Sequence, residues 1–447
     1  MTTAPEPSTV KQALAGHAAI GLVAGALLYI VCLTGTIAVF YPELQRFEQA
    51  DAPEMAAVTP GAVQRAVTSV LDSERGKPKT THLYVHLPVE DLPRTTITTD
   101  TQAVHVRPDG SLAGPEEIAW SDFLVALHYT LSIPDVYGIT LVGALGVMIL
   151  ALALSGVIAH PRIFRDAFRL RARDRGGLAL ADWHNRMSVW SLPFSIALAL
   201  TGAVIGLGTV TAYGLAVLNH GGNLEAVYEP IFGEEGKPDK RQAPVPDVAT
   251  ALAYMARHYP GVTITYATLH DPLTAGQEIQ VSATHPRRLI FGETYRFDAR
   301  GRFLGTAGIS DGAIGQQAAA SNYGLHFGNF GGLPVKLAYL LFGTGLTAIC
   351  ATGTYIWLGK RRRRGLDEPR LLKAWDAVVW GVPLVLGLTL AARFTLGNAA
   401  PFVAIFWIGS ALILASAFVP LPPPRYRAVL QVLAGLASLL AGALYWV

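Results

Sequence analysis

Seven stretches of this chain are apolar over about twenty residues each: 17–41, 136–159, 187–210, 334–358, 375–392, 401–419 and 427–446. About twenty apolar residues cross the hydrocarbon of a bilayer as one helix, and a spanning segment must satisfy its own backbone polar groups. The expected architecture is a membrane protein, mainly α-helical. Composition agrees: 51% of the 447 residues are hydrophobic and 15% are charged, against roughly 25% charged in soluble domains. The first stretch is too long for a signal-peptide core and follows sixteen residues with one lysine, Lys11, so an uncleaved anchor is expected. Cys32 and Cys350 are the two cysteines. They exclude a disulfide scaffold, a cysteine-rich zinc module and a cysteine-held iron–sulfur cluster. Both sit in apolar stretches and are expected to be free thiols.

Basic residues set the orientation, because cytoplasmic loops are rich in Lys and Arg. Arg162 to Arg175 holds six arginines, and Lys360 to Lys373 holds seven basic residues, including Arg361, Arg362, Arg363 and Arg364. Arg425 and Arg427 precede the last stretch. All fall on one side if the N-terminus is cytoplasmic, and 42–127 and 211–325 then lie outside. The run Arg361–Arg364 directly follows an apolar span ending in Trp357, which marks it as a topology signal and not as a nucleic-acid patch. No Walker or dinucleotide glycine motif occurs in context.

The chain also repeats itself. His17 precedes Leu33-Thr34-Gly35 by the same eighteen residues, His to Gly, that separate His184 from Gly202 in Leu200-Thr201-Gly202. Leu127-His128-Tyr129 precedes Ser155-Gly156 by 28 residues, and Leu325-His326-Phe327 precedes Thr352-Gly353 by 27, His to Gly. Each half reads helix, outer segment, helix, in the same direction, which predicts a four-helix core from a parallel repeat. Spans five to seven, without histidine, are an appended module of three C-terminal helices. The expected segments are 1–41 (tail and first helix), 42–127 (outer module), 128–210 (second and third helices with a basic loop), 211–325 (outer module), 326–364 (fourth helix and basic segment) and 365–447 (three further helices). In the outer modules, helices are expected at 60–72 and 246–258. Strands are expected near 81–87, 94–99 and 103–107, then near 262–269, 277–284, 290–298 and 302–305, with turns at Asp109-Gly110 and Arg300-Gly301.

Four of the twelve histidines occupy matched positions: His17, His128, His184 and His326. Ionisable residues at membrane helices are functional candidates. The pseudo-two-fold symmetry pairs His17 with His184 at the inner level and His128 with His326 at the outer level. Two facing imidazoles suit axial ligation of haem iron; helix-end capping and a zinc or copper site are the alternatives. Eighteen helical residues rise about 27 Å, so each haem would face a Ser/Thr-Gly from the two helices that do not ligate it. Pro134, and the run from Gly328 to Pro334, separate His128 and His326 from the spans and place them on short lead-in helices. His160 is expected to cap a helix and His220 to stand near an outer substrate. His82, His86, His105, His258, His270 and His285 are expected at the surface.

These motifs resemble the PepSY-associated transmembrane-helix family of bacterial iron-uptake membrane proteins, siderophore-reductase type. The resemblance covers about 11–364. It rests on Gly16-His17 with Leu33-Thr34-Gly35, on Leu127-His128-Tyr129 with Ser155-Gly156, on Trp183-His184-Asn185 with Leu200-Thr201-Gly202, and on Leu325-His326-Phe327-Gly328 with Thr352-Gly353. Tyr129 and Asn185 stand where the family pattern favours arginine. The resemblance implies two small α+β PepSY-like periplasmic modules, a bacterial inner-membrane location, haem, and electron delivery to ferric iron in the periplasm. The expected protein is a haem-dependent reductase of a ferric siderophore or other ferric chelate, with two haem b groups ligated through His17, His184, His128 and His326. Its electron donor would be a quinol or a cytoplasmic reductant. Arg287, Arg288, Arg296 and Arg302 would meet an anionic chelate. A chelate permease and a membrane-anchored PepSY binding or regulatory protein are the alternative functions, the first disfavoured by the scarcity of charge in the spans.

Overall fold

The computed structural model describes residues 7–77, 80–166, 178–232, 239–284, 289 and 292–446. Its helices are α1 (Pro7–Ala38), α2 (Tyr41–Glu48), α3 (Pro60–Ser73), α4 (Ala119–Thr130), α5 (Asp135–Ala159), α6 (Ile163–Asp166), α7 (Leu178–Trp190), α8 (Leu192–Asn219), α9 (Glu225–Phe232), α10 (Val248–His258), α11 (Ile314–Phe327), α12 (Gly332–Arg363), α13 (Pro369–Leu396), α14 (Phe402–Ala415) and α15 (Pro423–Tyr445). Its strands are β1 (His82–His86), β2 (Thr95–Thr98), β3 (Ala103–Val106), β4 (Leu112–Pro115), β5 (Thr263–His270), β6 (Glu278–Thr284), β7 (Glu293–Phe297) and β8 (Phe303–Thr306). Two compact units result: a helical one of 1–39, 119–208 and 333–447, and a second of 40–118 and 209–332. The boundaries differ from the expected ones at both lead-in helices. The helix α4, with His128, belongs to the helical unit, and α11, with His326, to the other.

Six helices are long and apolar enough to cross a membrane: Ser8–Ala38, Asp135–Ala159, Leu192–Asn219, Gly332–Arg363, Pro369–Leu396 and Pro423–Tyr445. The seventh expected span, 401–419, forms the shorter α14 and a 3-10 turn, Ser416–Phe418. That segment nonetheless runs along the length of α13. At one end Phe402 stacks on Phe123 of α4, beside which Trp120 donates to Thr389 Oγ1 near the C-terminal end of α13 (3.0 Å). At the other end, Lys373 Nζ in the second turn of α13 donates to the Val419 carbonyl (2.6 Å).

Four of the long helices close a ring. The helix α1 packs along α5. Next, α5 meets α8 backbone to backbone, since a Cβ on Gly206 would stand 2.6 Å from Gly143. Phe194 of α8 packs edge-on against Tyr339 of α12, centroids 5.1 Å apart. Finally α12 returns to α1, where Thr36 fills the space beside Gly343 and the free thiols of Cys32 and Cys350 lie 3.9 Å apart. Small residues let helices approach where lipid tails supply no hydrophobic drive. The expected third span is two helices that step at Ser191, because Pro193 lacks the N–H that would continue the ladder. The appended helices are anchored on this core by buried polar side chains. Tyr29 donates to the Val379 carbonyl (2.8 Å) and Trp375 to the Ala351 carbonyl (2.9 Å).

The second unit corrects the picture of two separate modules. All eight strands form one antiparallel sheet, in the order β4-β3-β2-β1-β5-β6-β7-β8. Each half is a meander, and the halves join where β1 pairs with β5, His82 opposite His270 and His86 opposite Tyr266. An edge strand exposes unpaired backbone groups; joining the two edges removes both. The apolar face is one core across the seam: Leu83 and Val85 of β1 and Ala267 and Leu269 of β5 are fully buried with Val63 and Val67 of α3 and Met255 of α10. Both helices begin as their sequences suggest. Thr59 Oγ1 accepts from Ala62 N, and Asp247 Oδ1 from Thr250 N, the usual N-cap bonds. The expected turns also match across the repeat. Gly110 (φ 88°) lies against the Ala62 backbone and Gly301 (φ 69°) against Thr250 and Ala251, left-handed positions where a Cβ would also collide. Strand β4 was not expected. Its Gly114 and Pro115 hide it, although its counterpart β8 follows the matching turn.

His105 also departs from expectation. It is 2% exposed, with Nδ1 bonded to Thr96 Oγ1 (3.1 Å) and Nε2 to Gln49 Oε1 (2.9 Å). Burial, with the Arg94 charge nearby, pushes its pKa from 6.5 down to about 4. Between those values the unfolded chain binds the proton and the folded one does not. The stability held by neutral His105 is therefore present above pH 6.5 and lost as pH falls toward 4. Hydrogen exchange of the β2 and β3 amides in the full chain, corrected for intrinsic rates, should show protection falling across that window, and His105→Gln should flatten the fall.

Candidate functional site

The sequence-predicted inner pair comes together. The rings of His17, in α1, and His184, in α7, have centroids 6.5 Å apart at an interplanar angle of 87°. Neither caps a helix: α1 begins at Pro7, and His184 lies mid-helix in α7. His17 Nδ1 is 3.0 Å from the Leu152 carbonyl and 3.2 Å from Ser155 Oγ, both on α5. A carbonyl only accepts, so Nδ1 carries the proton and Nε2 keeps its lone pair. His184 Nδ1 is 2.9 Å from Thr352 Oγ1 on α12. That hydroxyl spends its own hydrogen on the Ala348 carbonyl, so Nδ1 is again the donor. Each ring also lies on a glycine. A Cβ at Gly156 would stand 3.3 Å from His17 Cε1, and one at Gly353 would stand 3.7 Å from His184 Cε1.

His128 repeats this seat at the other end of α1. Its Nδ1 donates to the Val31 carbonyl (2.9 Å), and its ring lies so close on Gly35 that a Cβ there would collide with it. In each case the ring rests on the glycine of a Ser/Thr-Gly pair; for His17 and His128 the Nδ1 proton goes to the carbonyl four residues before that glycine. These pairs seat the histidine rings at positions a Cβ would crowd, and Gly156 and Gly353 also line the cavity that His17 and His184 share. His326 sits near the C-terminus of α11, which stops at Gly328 (φ 68°). Both outer histidines are on short lead-in helices, as expected.

His17 and His184 line a cavity of about 570 Å³ between α1, α5, α7, α8 and α12, within the size range of cofactor sites. Two imidazoles on opposite sides of one metal ion need centroids roughly 6.4 Å apart, from a metal–nitrogen bond of about 2.0 Å and about 1.2 Å from nitrogen to ring centre. The observed 6.5 Å fits, and the outward Nδ1 bonds are those expected behind a ligating histidine. Among the described residues no cluster of three or more His, Cys, Asp or Glu converges as a metal site. Sequence reasoning missed the cavity's charged rim. Lys11, Lys360 and Arg364 line it, and Arg186, two residues from His184, is 5% exposed, with Nε and Nη2 unpartnered among the described residues. His160 ends α5, as expected, and lines the same cavity.

Other expected residues divide. Arg296 is paired with Glu278 (2.8 Å) and Arg302 with Asp298 (2.6 Å), so neither is a free charge for an anionic ligand. Arg287, Arg288, His285 and Arg169 to Arg175 lie outside the described residues. His258 stacks on Tyr254, centroids 4.0 Å apart, and His220 is exposed at the end of α8. The histidines expected singly at the surface include a cluster. On the sheet face opposite the core, across the β1–β5 seam, the rings of His82 and His270 lie 4.9 Å apart, those of His82 and Tyr84 6.1 Å and those of His86 and Tyr266 6.0 Å. The alternation of His82, Tyr84 and His86 signals a shared face, but the pairing with β5 is long-range.

The glycine seats give a sharp test. Gly35→Val puts a branched side chain where the His128 ring lies and should cost about 1–3 kcal/mol, the range for overpacking. Gly16→Ala, with nothing within 4 Å of its Cβ, should cost nothing measurable. Thermal unfolding of both variants in detergent, read by circular dichroism, compares them.

An uncharacterised protein of Pseudomonas aeruginosa is 30% identical over 342 residues, covering 72% of this chain and 85% of that one. The model of the PepSY-associated TM region matches residues 14–360, from just before the first histidine seat to the basic end of α12. The chain therefore belongs to the PepSY-associated TM region family, as a multi-pass membrane protein carrying α13, α14 and α15 beyond the family region.

Proposed function

We infer that this protein is an inner-membrane electron carrier with two b-type haems, ligated through His17, His184, His128 and His326. It reduces a ferric chelate, such as a ferric siderophore, on the periplasmic side. The observation that carries the reading is the 6.5 Å separation of the His17 and His184 rings. Haem held by these histidines would supply one-electron transfer, and two histidine ligands to each iron would leave no open position for oxygen chemistry. The chain's own groups do the rest. Leu152, Ser155 and Thr352 hold both Nδ1 protons, which leaves each Nε2 lone pair free to ligate. Lys11, Lys360 and Arg364 supply positive charge for the carboxylates of the cofactor. His17 and Gly35, which carries the His128 ring, are eighteen residues apart on α1, about 27 Å. The two levels therefore stand at opposite faces of the bilayer. The His82, Tyr84, His86, Tyr266 and His270 face offers rings to an aromatic or hydroxamate chelate.

The orientation follows from the basic segments. With the N-terminus cytoplasmic, the sheet unit is periplasmic, and α14 counts as a crossing that leaves the C-terminus outside. Reporter fusions after Arg175 and Arg364 should both score cytoplasmic, and a periplasmic score at either reverses the direction of transfer.

Purified with ample haem supply, the full chain should show low-spin b-type bands. His17→Ala and His184→Ala should each lose about half of the haem and leave the other centre's spectrum. Mixed anaerobically with ferric siderophores and a ferrous trap, the reduced protein should reoxidise as ferrous iron appears, and His128→Ala and His326→Ala should react at least tenfold more slowly. A colourless protein defeats the haem reading; reduced bands that persist with every chelate defeat the choice of substrate.

A further inference from the structure

The appended helices build a second cavity against the histidine core. It has a volume of about 620 Å³ and runs along α12 from Thr344 to Arg362, walled by α13 and α15 and closed toward α1 by Tyr29. One side of it is Thr352, whose hydroxyl holds His184 Nδ1. At its polar end stand Tyr355 and Arg427, and both bind one carboxylate behind them. Tyr355 Oη donates to Asp376 Oδ1 (2.6 Å) and Arg427 Nε donates to the same oxygen (2.8 Å). The Arg427 guanidinium also lies over the Tyr355 ring, 4.9 Å from its centroid. Asp376 is 0% exposed, and its Oδ2 has no partner among the described residues. A buried carboxylate with one oxygen unpaired is costly unless it is used. It also lies inside an apolar span, where an ionisable group is a functional candidate.

We propose that this cavity is a binding site for a membrane quinol, the electron donor of the haem reading above, on which the inference rests. Three features select that class. The cavity lies within membrane-spanning helices, so its ligand partitions into the bilayer. The charged residues of its lining balance, Arg362 and Arg427 against Asp367 and Glu368, so no net positive charge selects an anionic headgroup. Its polar end presents the Tyr355 hydroxyl, the Arg427 guanidinium and the Gln431 amide, which suit a ring bearing hydroxyl or carbonyl oxygens. Oxidation of the bound quinol breaks its two O–H bonds and yields quinone, two protons and two electrons. Each proton passes through the Tyr355 hydroxyl to the Asp376 carboxylate and on to water at the Arg362–Glu368 rim. The two electrons would leave singly across the Thr352 wall, with ferric haem held through His184 as the one-electron acceptor, two such equivalents balancing one quinol.

The probes are decylubiquinone and decylubiquinol with the full chain in phosphatidylcholine nanodiscs. Trp380 lines the cavity, so decylubiquinone should quench tryptophan fluorescence saturably. Ala348→Phe, which fills the cavity, should weaken that binding at least tenfold. This arm needs no haem, so it stands or falls apart from the haem reading. In anaerobic stopped flow, Tyr355→Phe and Asp376→Asn should be reduced by decylubiquinol at least tenfold more slowly than wild type, while dithionite brings all three to the same reduced spectrum. Should Asp376→Asn fail to fold, Tyr355→Phe, which removes one oxygen, carries the test. Wild-type reduction rates in Tyr355→Phe overturn the proposal. So does quenching that does not saturate or is unchanged in Ala348→Phe, and so does a copurifying phospholipid that decylubiquinone cannot displace.

Discussion

The helical unit depends on one interaction, a histidine ring packed against a glycine with its Nδ1 proton bonded into the partner helix. His17 of α1 lies on Gly156 of α5, and His128, which leads into α5, lies on Gly35 of α1. The two helices thus hold each other at both ends through reciprocal seats. The geometry fixes more than packing. A proton committed to a backbone carbonyl fixes the tautomer, and the tautomer decides that Nε2 is the free, basic nitrogen. The Ser or Thr before the glycine returns its hydrogen to its own helix and takes part in the seat only as an acceptor, as Thr352 does for His184. A ring seated in this way is held in one orientation and one tautomer.

The same economy of backbone governs the sheet unit. Two meanders, one ending in β1 and the other beginning with β5, become a single sheet at the β1–β5 seam, and the helices α3 and α10 then share one apolar core. The seam also doubles the rings on the opposite face, because it sets His82 against His270 and His86 against Tyr266. A half-sheet would carry only half of that surface. Duplication thus makes a composite face that neither half possesses.

The appended helices are bound to the core by directed bonds from Tyr29, Trp120, Trp375 and Trp407, which in the membrane add to van der Waals packing between helices. Their charged residues are not scattered. Lys373 ties α13 to Val419, and Asp376 gathers Tyr355 and Arg427 from two other helices. The sequence shows Asp376 only as a blemish at the start of an apolar stretch, and folding turns it into the centre of a polar group facing a cavity.

The sequence by itself determined what is local and periodic. Helix length and rise place His17 and Gly35 at opposite ends of α1, alternation marks β1 and β5, and turn chemistry marks Gly110 and Gly301. The internal repeat singles out four histidines and four glycines without any structure. Which groups meet was decided by the tertiary structure alone. That the glycines seat imidazoles, that two modules form one sheet, that His105 is buried beside Gln49, and that Lys11, Lys360 and Arg364 share a rim all depend on packing between segments far apart in the chain. Periodicity says which face of an element is apolar and at what height a residue stands. It carries no information about the rotation of one helix against another or about which edge a strand will pair with, because those are set by the fit of whole surfaces.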